Sequence, residues 1–160
     1  YVDVGGGSTE VNLLIKGELV CSKSYNIGTV RMLNDAVDFE EWKRLEADMK
    51  TLSENYLGTN IIGSGGNINK LYRLAEKTDK KRQRISVIVL KSLYEKLKLL
   101  SFEERMQVFN LKPDRADVIV PASEIFLTIA EILHSEYIYV PVIGLADGII
   151  DGLYAANRNR

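Results

Sequence analysis

Along the chain the apolar positions switch between the step of two that suits a strand and the three-and-four step that suits a helix. Residues 1–4 read as a short strand, residues 10–15 as a second strand after an intervening glycine run, and Lys16-Gly17-Glu18 as a tight turn. Over residues 19–25, Leu19, Cys21 and Lys23 alternate imperfectly with Val20, Ser22 and Ser24, which predicts a third strand and so a three-strand meander. Phe39, Trp42, Leu45, Met49, Leu52 and Tyr56 then recur at helical spacing behind Asp38, a good N-cap. Asn60-Ile61-Ile62 predicts a short strand running into Gly63-Ser64-Gly65-Gly66-Asn67, and Ile68, Leu71, Tyr72 and Ala75 place a helix directly after those glycines. Further helices are expected over 87–100, over 103–109 behind Ser101, and over 116–134, where Pro121 marks the true start or a kink. A last strand over 137–140 and a last helix over 144–156 complete the order βββαβα, several helices, then βα. No internal repeat of 20 to 50 residues and no linker divides this pattern.

Composition narrows the class. At 160 residues the chain is one domain, long enough to bury about two-thirds of its unfolded surface. Its apolar fraction of 46% and charged fraction of 27% are those of a globular protein. Lys plus Arg (21) nearly balances Asp plus Glu (22), so no basic field favours nucleic acid. Cys21 stands alone, which excludes an internal disulfide and a thiolate metal cluster and fits a reducing, cytoplasmic setting. No apolar run reaches a membrane span and no signal segment opens the chain, so no membrane partner is expected. The chain opens on Tyr1 rather than Met, with its most informative motif beginning at residue 3; a fragment of a longer protein is therefore expected.

That motif is Asp3-Val4-Gly5-Gly6-Gly7-Ser8-Thr9-Glu10. Three consecutive glycines between two strands let backbone N–H groups converge on an anion, and phosphate is the obvious guest. Asp3 and Glu10 bracket the loop with carboxylates able to hold Mg²⁺ or an attacking water, and Ser8, two residues before Glu10, faces the same way on a strand. The competing reading is a glycine-rich hairpin with exposed acids. There is no GxxxxGK[ST] and no helix directly after these glycines, which disfavours a P-loop and a dinucleotide fold. Gly63, Ser64, Gly65 and Gly66 do open a helix, whose N-terminus suits an anion; a turn needed only for packing is the alternative.

With these residues in place, Asp3 to Glu10 resembles the DxGGGSTE signature of the exopolyphosphatase/guanosine-pentaphosphate phosphatase (Ppx/GppA) family, within the actin, hexokinase and Hsp70 superfamily. Asn26-Ile27-Gly28-Thr29-Val30-Arg31 resembles the family's turn after the third strand, Ile61 to Gly66 its second glycine loop, and Glu104-Arg105 with Arg115-Ala116-Asp117-Val118-Ile119 its C-terminal helices. Gly144-Leu145-Ala146-Asp147-Gly148-Ile149-Ile150 resembles its closing motif, with Ala146-Asp147 where many members carry Arg-Glu. The resemblance implies an α/β fold of ribonuclease-H-like (actin-like ATPase) type: a five-stranded mixed sheet, order 3-2-1-4-5 with strand 2 antiparallel, and helices on both faces. It implies the second domain of a two-domain enzyme that cleaves terminal phosphoanhydrides in polyphosphate or guanosine pentaphosphate. The N-terminal domain and the catalytic base would lie upstream of Tyr1, and a homodimer stays open. On this reading Asp3 and Glu10 serve the metal, Glu10 also the chemistry, and Gly5, Gly6, Gly7, Ser8, Gly63, Ser64, Gly65 and Gly66 the phosphate, with Mg²⁺ or another divalent cation as cofactor. A kinase or ATPase of the same superfamily, and a non-catalytic nucleotide sensor, are the alternatives.

Other residues carry weaker expectations. His134 suits a helix end or the surface, and Lys77, Lys80, Lys81, Arg82 and Arg84 a solvated basic loop. Arg31 suits either a phosphate contact or a pair with Asp35, and Gly144, Gly148 and Gly152 line one face of the last helix.

Overall fold

The computed structural model describes residues 1–141. The helix expected over 144–156, with its glycine stripe and Ala146-Asp147, lies outside the described residues.

The meander forms as expected: β1 (Val2–Val4), β2 (Thr9–Ile15) and β3 (Glu18–Tyr25) are antiparallel neighbours. The β2–β3 turn places Lys16 and Gly17 at φ 52° and 86°, the left-handed pair that a two-residue hairpin of matching twist requires. A short helix α1 (Thr29–Leu33) follows, then α2 (Phe39–Asn55), whose first turn is capped by the Asp38 carboxylate accepting from the Glu40 N–H at 2.9 Å. Next come β4 (Ile61–Ser64), α3 (Gly66–Leu74), β5 (Arg84–Ser86) and α4 (Val87–Leu99). α5 (Phe102–Phe109) starts in a capping box of Ser101 and Glu104; α6 (Pro113–Ala116), α7 (Ile119–Ile132) and β6 (Tyr137–Tyr139) complete the described chain. Pro121 sits in the first turn of α7, where its missing N–H costs no hydrogen bond.

One mixed sheet results, in the order β3-β2-β1-β4-β6-β5, with β1, β4 and β6 parallel. The expected five-strand order is present with a sixth strand added, β5, antiparallel to β6 at the edge. This corrects the reading of Arg84 as part of a solvated loop. Ile85 is fully buried, and the Arg84 guanidinium lies over the Tyr137 ring at 3.7 Å while pairing with Asp79 at 3.1 Å. A three-residue strand shows its alternation only once, so the adjoining positive charges dominated its pattern.

Val2, Val4, Val11, Ile61, Ile85 and Ile138 turn to one face of the sheet and join Leu45, Met49, Ile68, Leu71, Leu90, Leu97 and the apolar side of α7 in one core. Each such side chain contributes roughly 1.5–3 kcal/mol by leaving water. The opposite face carries Asp3, Glu10, Asn12 and Ser64, all at least partly accessible. Both glycine loops lie at the same end of the sheet, because β1 and β4 run parallel side by side. No helix among the described residues is long and apolar enough to cross a membrane.

Candidate phosphate site

The first loop, Gly5 to Ser8, closes on itself through the Gly5 N–H, which donates to the Ser8 carbonyl at 2.9 Å. Its outer carbonyls are gripped by the start of α1. The Thr29 N–H donates to the Gly5 carbonyl at 3.0 Å, Val30 and Arg31 N–H groups to the Gly6 carbonyl at 2.9 and 3.3 Å, and Arg31 Nε to the Gly7 carbonyl at 2.7 Å. In a trans peptide the C=O of one residue and the N–H of the next point in opposite directions, and no cis bond occurs among the described residues. Holding the carbonyls of Gly5, Gly6 and Gly7 therefore turns the N–H groups of Gly6, Gly7 and Ser8 away from α1. None of those three amides has a hydrogen-bond partner among the described residues, and Gly6 and Gly7 are exposed. The loop thus leaves three neighbouring amide donors turned away from α1 and unpaired among the described residues, an arrangement able to bind an anion. Gly5 is corrected on this point: its own amide is spent inside the loop, and it contributes geometry.

Thr9 locks the same junction from below, its buried hydroxyl donating to the Ile27 carbonyl at 2.6 Å. Gly28 packs directly on the loop, so closely that a Cβ there would run into the Gly6 carbonyl and the Gly7 backbone.

The acids stand in one row across the sheet. Asp3 is the direct partner of Glu10, Glu10 of Ser24, and Asp3 of Ser64, so all four share a face. The expected pairing of Ser8 with Glu10 is present: Ser8 Oγ donates to Glu10 Oε1 at 2.5 Å, and Ser24 Oγ reaches the same oxygen at 3.3 Å. Two hydroxyls therefore fix one carboxylate oxygen. Cross-strand partners have Cβ atoms about 4.5–5.5 Å apart, which lets the Asp3 and Glu10 carboxylates reach a common cation. Among the described residues no group of three or more His, Cys, Asp or Glu could hold a metal. Two carboxylates nevertheless fit Mg²⁺, which commonly takes one or two from the protein and the rest from water and phosphate. An open hollow of about 550 Å³ lies over Asp3, Glu10 and Ser64. A larger one, about 740 Å³, lies beside Tyr72, Arg84 and Tyr137; the paired acids and Ser64 that line the smaller favour it as the site.

The second loop divides its four residues. Gly63 is turned into the core, where a Cβ would sit 2.8 Å from Ile68, so packing alone accounts for a glycine at this position. Ser64 faces the acid row, and Gly65 takes φ 92°, a left-handed conformation that costs glycine nothing, with the Asp3 carboxylate closed against its α-carbon. Gly66 is exposed and opens α3. Beside it stands Arg115 of α6, whose guanidinium packs against Gly66 so closely that a side chain there would have to displace it. Arg115 Nη1 donates to Asn67 Oδ1 at 3.0 Å, and buried Asn67 Nδ2 donates to the Val4 carbonyl at 2.9 Å. Asn67 thereby ties the end of β1, where the first loop starts, to the second loop and its arginine. Neither the Asn67 bridge nor Arg115 at the site was foreseeable from local spacing, since the contacts span 63 and 48 residues. The structure thus gathers Asp3, Glu10, Ser8, Ser64, Gly65 and Gly66 at the end of the sheet where the amides of Gly6, Gly7 and Ser8 are free. Arg31 is held by Gly7 and forms no ion pair with Asp35.

A meander with a glycine loop between its first two strands, followed by a strand, glycine loop and helix beside it, defines an α/β domain of the actin-like ATPase class. The sequence profile of the Ppx/GppA phosphatase family matches residues 1–156, and the chain belongs to that family. Among solved structures it is similar to the type II variant of the Aquifex aeolicus Ppx/GppA phosphatase, with 27% identity and a TM-score of 0.75 over 93% of this chain and 54% of that one. A second Aquifex aeolicus family structure gives 27% identity and 0.74 over 98% and 56%. An exopolyphosphatase from Cytophaga hutchinsonii shares the fold, with a TM-score of 0.75 at 18% identity over 97% of this chain and 56% of that one. The chain thus spans about half the length of the structures it matches. No curated protein sequence matches it.

Proposed function

We propose that this chain forms one wall of an active site that hydrolyses terminal phosphoanhydride bonds, in inorganic polyphosphate or guanosine pentaphosphate, releasing orthophosphate. The observation that carries this reading is the set of three amides at Gly6, Gly7 and Ser8, turned away from α1 and without a partner among the described residues. Such a cradle is matched to the oxygens of a phosphoryl group and stabilises the charge that grows on them during transfer. Membership of a phosphatase family and the paired acids beside the cradle support it.

Asp3 and Glu10 would hold Mg²⁺. When bound, that ion neutralises phosphate charge and polarises the bond to be broken. Glu10, fixed by Ser8 and Ser24, keeps its second oxygen free for the cation or for a water. Gly66 and Arg115 at the second loop would take the neighbouring phosphate of the chain, the arginine as a charged donor. The other wall of the cleft, with the general base, would come from a preceding N-terminal domain; the matched structures, nearly twice this length, accommodate one. A cytoplasmic setting fits the single free Cys21.

The test is phosphate release from polyphosphate and from guanosine pentaphosphate by a protein carrying both halves of the cleft, alongside its Glu10→Ala variant. Activity should depend on a divalent cation and fall about a hundredfold or more in the variant. Undiminished release in the variant, or full activity in excess chelator, would remove Glu10 and the metal from the mechanism.

A further inference from the structure

We propose that Arg31 is a positioning residue of the phosphate cradle: its Nε, on the Gly7 carbonyl, sets the orientation of the Gly7–Ser8 peptide and so aims the Ser8 N–H at the bound phosphoryl group. The first two peptides of the loop are held by backbone donors alone, from Thr29 to the Gly5 carbonyl and from Val30 and Arg31 to the Gly6 carbonyl. Only the third is held by a side chain, Arg31 Nε on Gly7 at 2.7 Å. Among the described residues nothing else donates to that carbonyl. The side chain is exposed, and its two terminal amino groups have no hydrogen-bond partner among the described residues.

The choice of arginine follows from its chemistry. Its planar fork spends one N–H on the carbonyl and keeps the others, and its positive charge, beside the loop. A lysine would offer one compact donor group, and an uncharged chain of similar length none. The Ser8 peptide also needs a separate hold, because the Ser8 hydroxyl is committed to Glu10 and its carbonyl to the Gly5 N–H. With the Gly7 carbonyl released, this peptide is the one free to rotate, since the peptide before it stays pinned to α1 and the one after it to the Gly5 N–H.

The inference rests on reading the loop as a phosphate cradle, and one experiment separates the two. Backbone amide resonances of the chain are followed by NMR as inorganic tripolyphosphate is added to wild type, Arg31→Met and Arg31→Lys. In wild type the Gly6, Gly7 and Ser8 amides should all shift. At saturation Arg31→Met should lose the Ser8 response while Gly6 and Gly7 keep theirs, with affinity about tenfold weaker, the equivalent of one charge-assisted hydrogen bond. Arg31→Lys, whose ammonium can reach the same carbonyl, should restore the Ser8 response, and it carries the test if the methionine variant does not fold. A Ser8 response at saturation in Arg31→Met equal to wild type would overturn the positioning role and leave the cradle standing. Equal loss at all three amides in both variants would overturn it too, by assigning Arg31 a role in the whole loop. Silence of all three amides in wild type would overturn the cradle and this inference together.

Discussion

At Gly28 the constraint is space. Its backbone, at φ −142° and ψ 160°, is extended and open to any residue, yet a Cβ there would meet the Gly6 carbonyl and Gly7 backbone. The approach is what lets the N–H groups of Thr29 and Val30 reach the loop carbonyls at 3.0 and 2.9 Å. Gly28→Ala should therefore push α1 off the loop, lower unfolding free energy by about 1–3 kcal/mol as overpacking does, and weaken tripolyphosphate binding along with it. Urea unfolding and calorimetry check the two effects; wild-type values in both would show that the loop accommodates a methyl group. In the sequence Gly28 reads as one more turn glycine. Its partner lies more than twenty residues away, and no local pattern registers a contact of that span. The alternation that set Ser8 and Glu10 on one side was legible because both residues share a strand edge.

At the level of elements, α2 is fastened to β3 by a polar cluster behind the site. Tyr25, fully buried, donates its hydroxyl to Asp48 at 2.8 Å, Lys23 donates to the same carboxylate at 2.6 Å, and Arg44 lies over the Tyr25 ring while pairing with Glu41. Burial, followed by the bond to Asp48, raises the Tyr25 hydroxyl well above its ordinary value. For Asp48 burial pushes upward, but hydrogen bonds from Lys23 and Tyr25 outweigh it and leave the carboxyl below its ordinary value. A carboxylate depressed in the folded state contributes stability that is present above its unfolded value, near 4, and is lost as pH falls through the lower folded value. Asp48→Asn should cost about 1–2 kcal/mol at pH 7 and flatten the fall in stability on the acid side of pH 5. Urea midpoints measured from pH 7 to pH 3 decide it, and an unchanged acid slope would assign that slope to other carboxylates. α2 itself was legible, as were its Asp38 cap and the Ser101 cap of α5, because period and cap lie within one segment. Three short elements were not, although β1, β4 and β6, equally short, were legible as apolar runs, broken in β1 only by Asp3. α1 has five residues, α6 four and β5 three, and none carries the apolar run that marked the other short strands.

For the whole molecule, the parallel pairing of β1 and β4 brings two glycine loops, two acids and Arg115 to one end of a single sheet. The sheet order was legible through the family's motifs, while the division of labour between the loops required coordinates, since Gly63 and Gly65 look alike in sequence and face the core and Asp3 respectively. On the proposed reading, the free amides and the charged donor at that end would hold a phosphate chain, and the acids its cation. What the described residues do not bring there is a group placed to deprotonate water apart from those same acids. A general base is worth about 10²–10⁴ in rate, so a site with the cradle and without the base should bind far better than it turns over. Residues 1–160 alone are accordingly expected to bind tripolyphosphate with loop amides responding, and to release phosphate at least about a hundredfold more slowly than a protein carrying both halves of the cleft. Parallel calorimetry and phosphate-release assays on the two proteins test this. Equal turnover by the shorter chain would move the base onto Glu10, and a pH–rate profile whose acid limb disappears in Glu10→Gln would then locate it there.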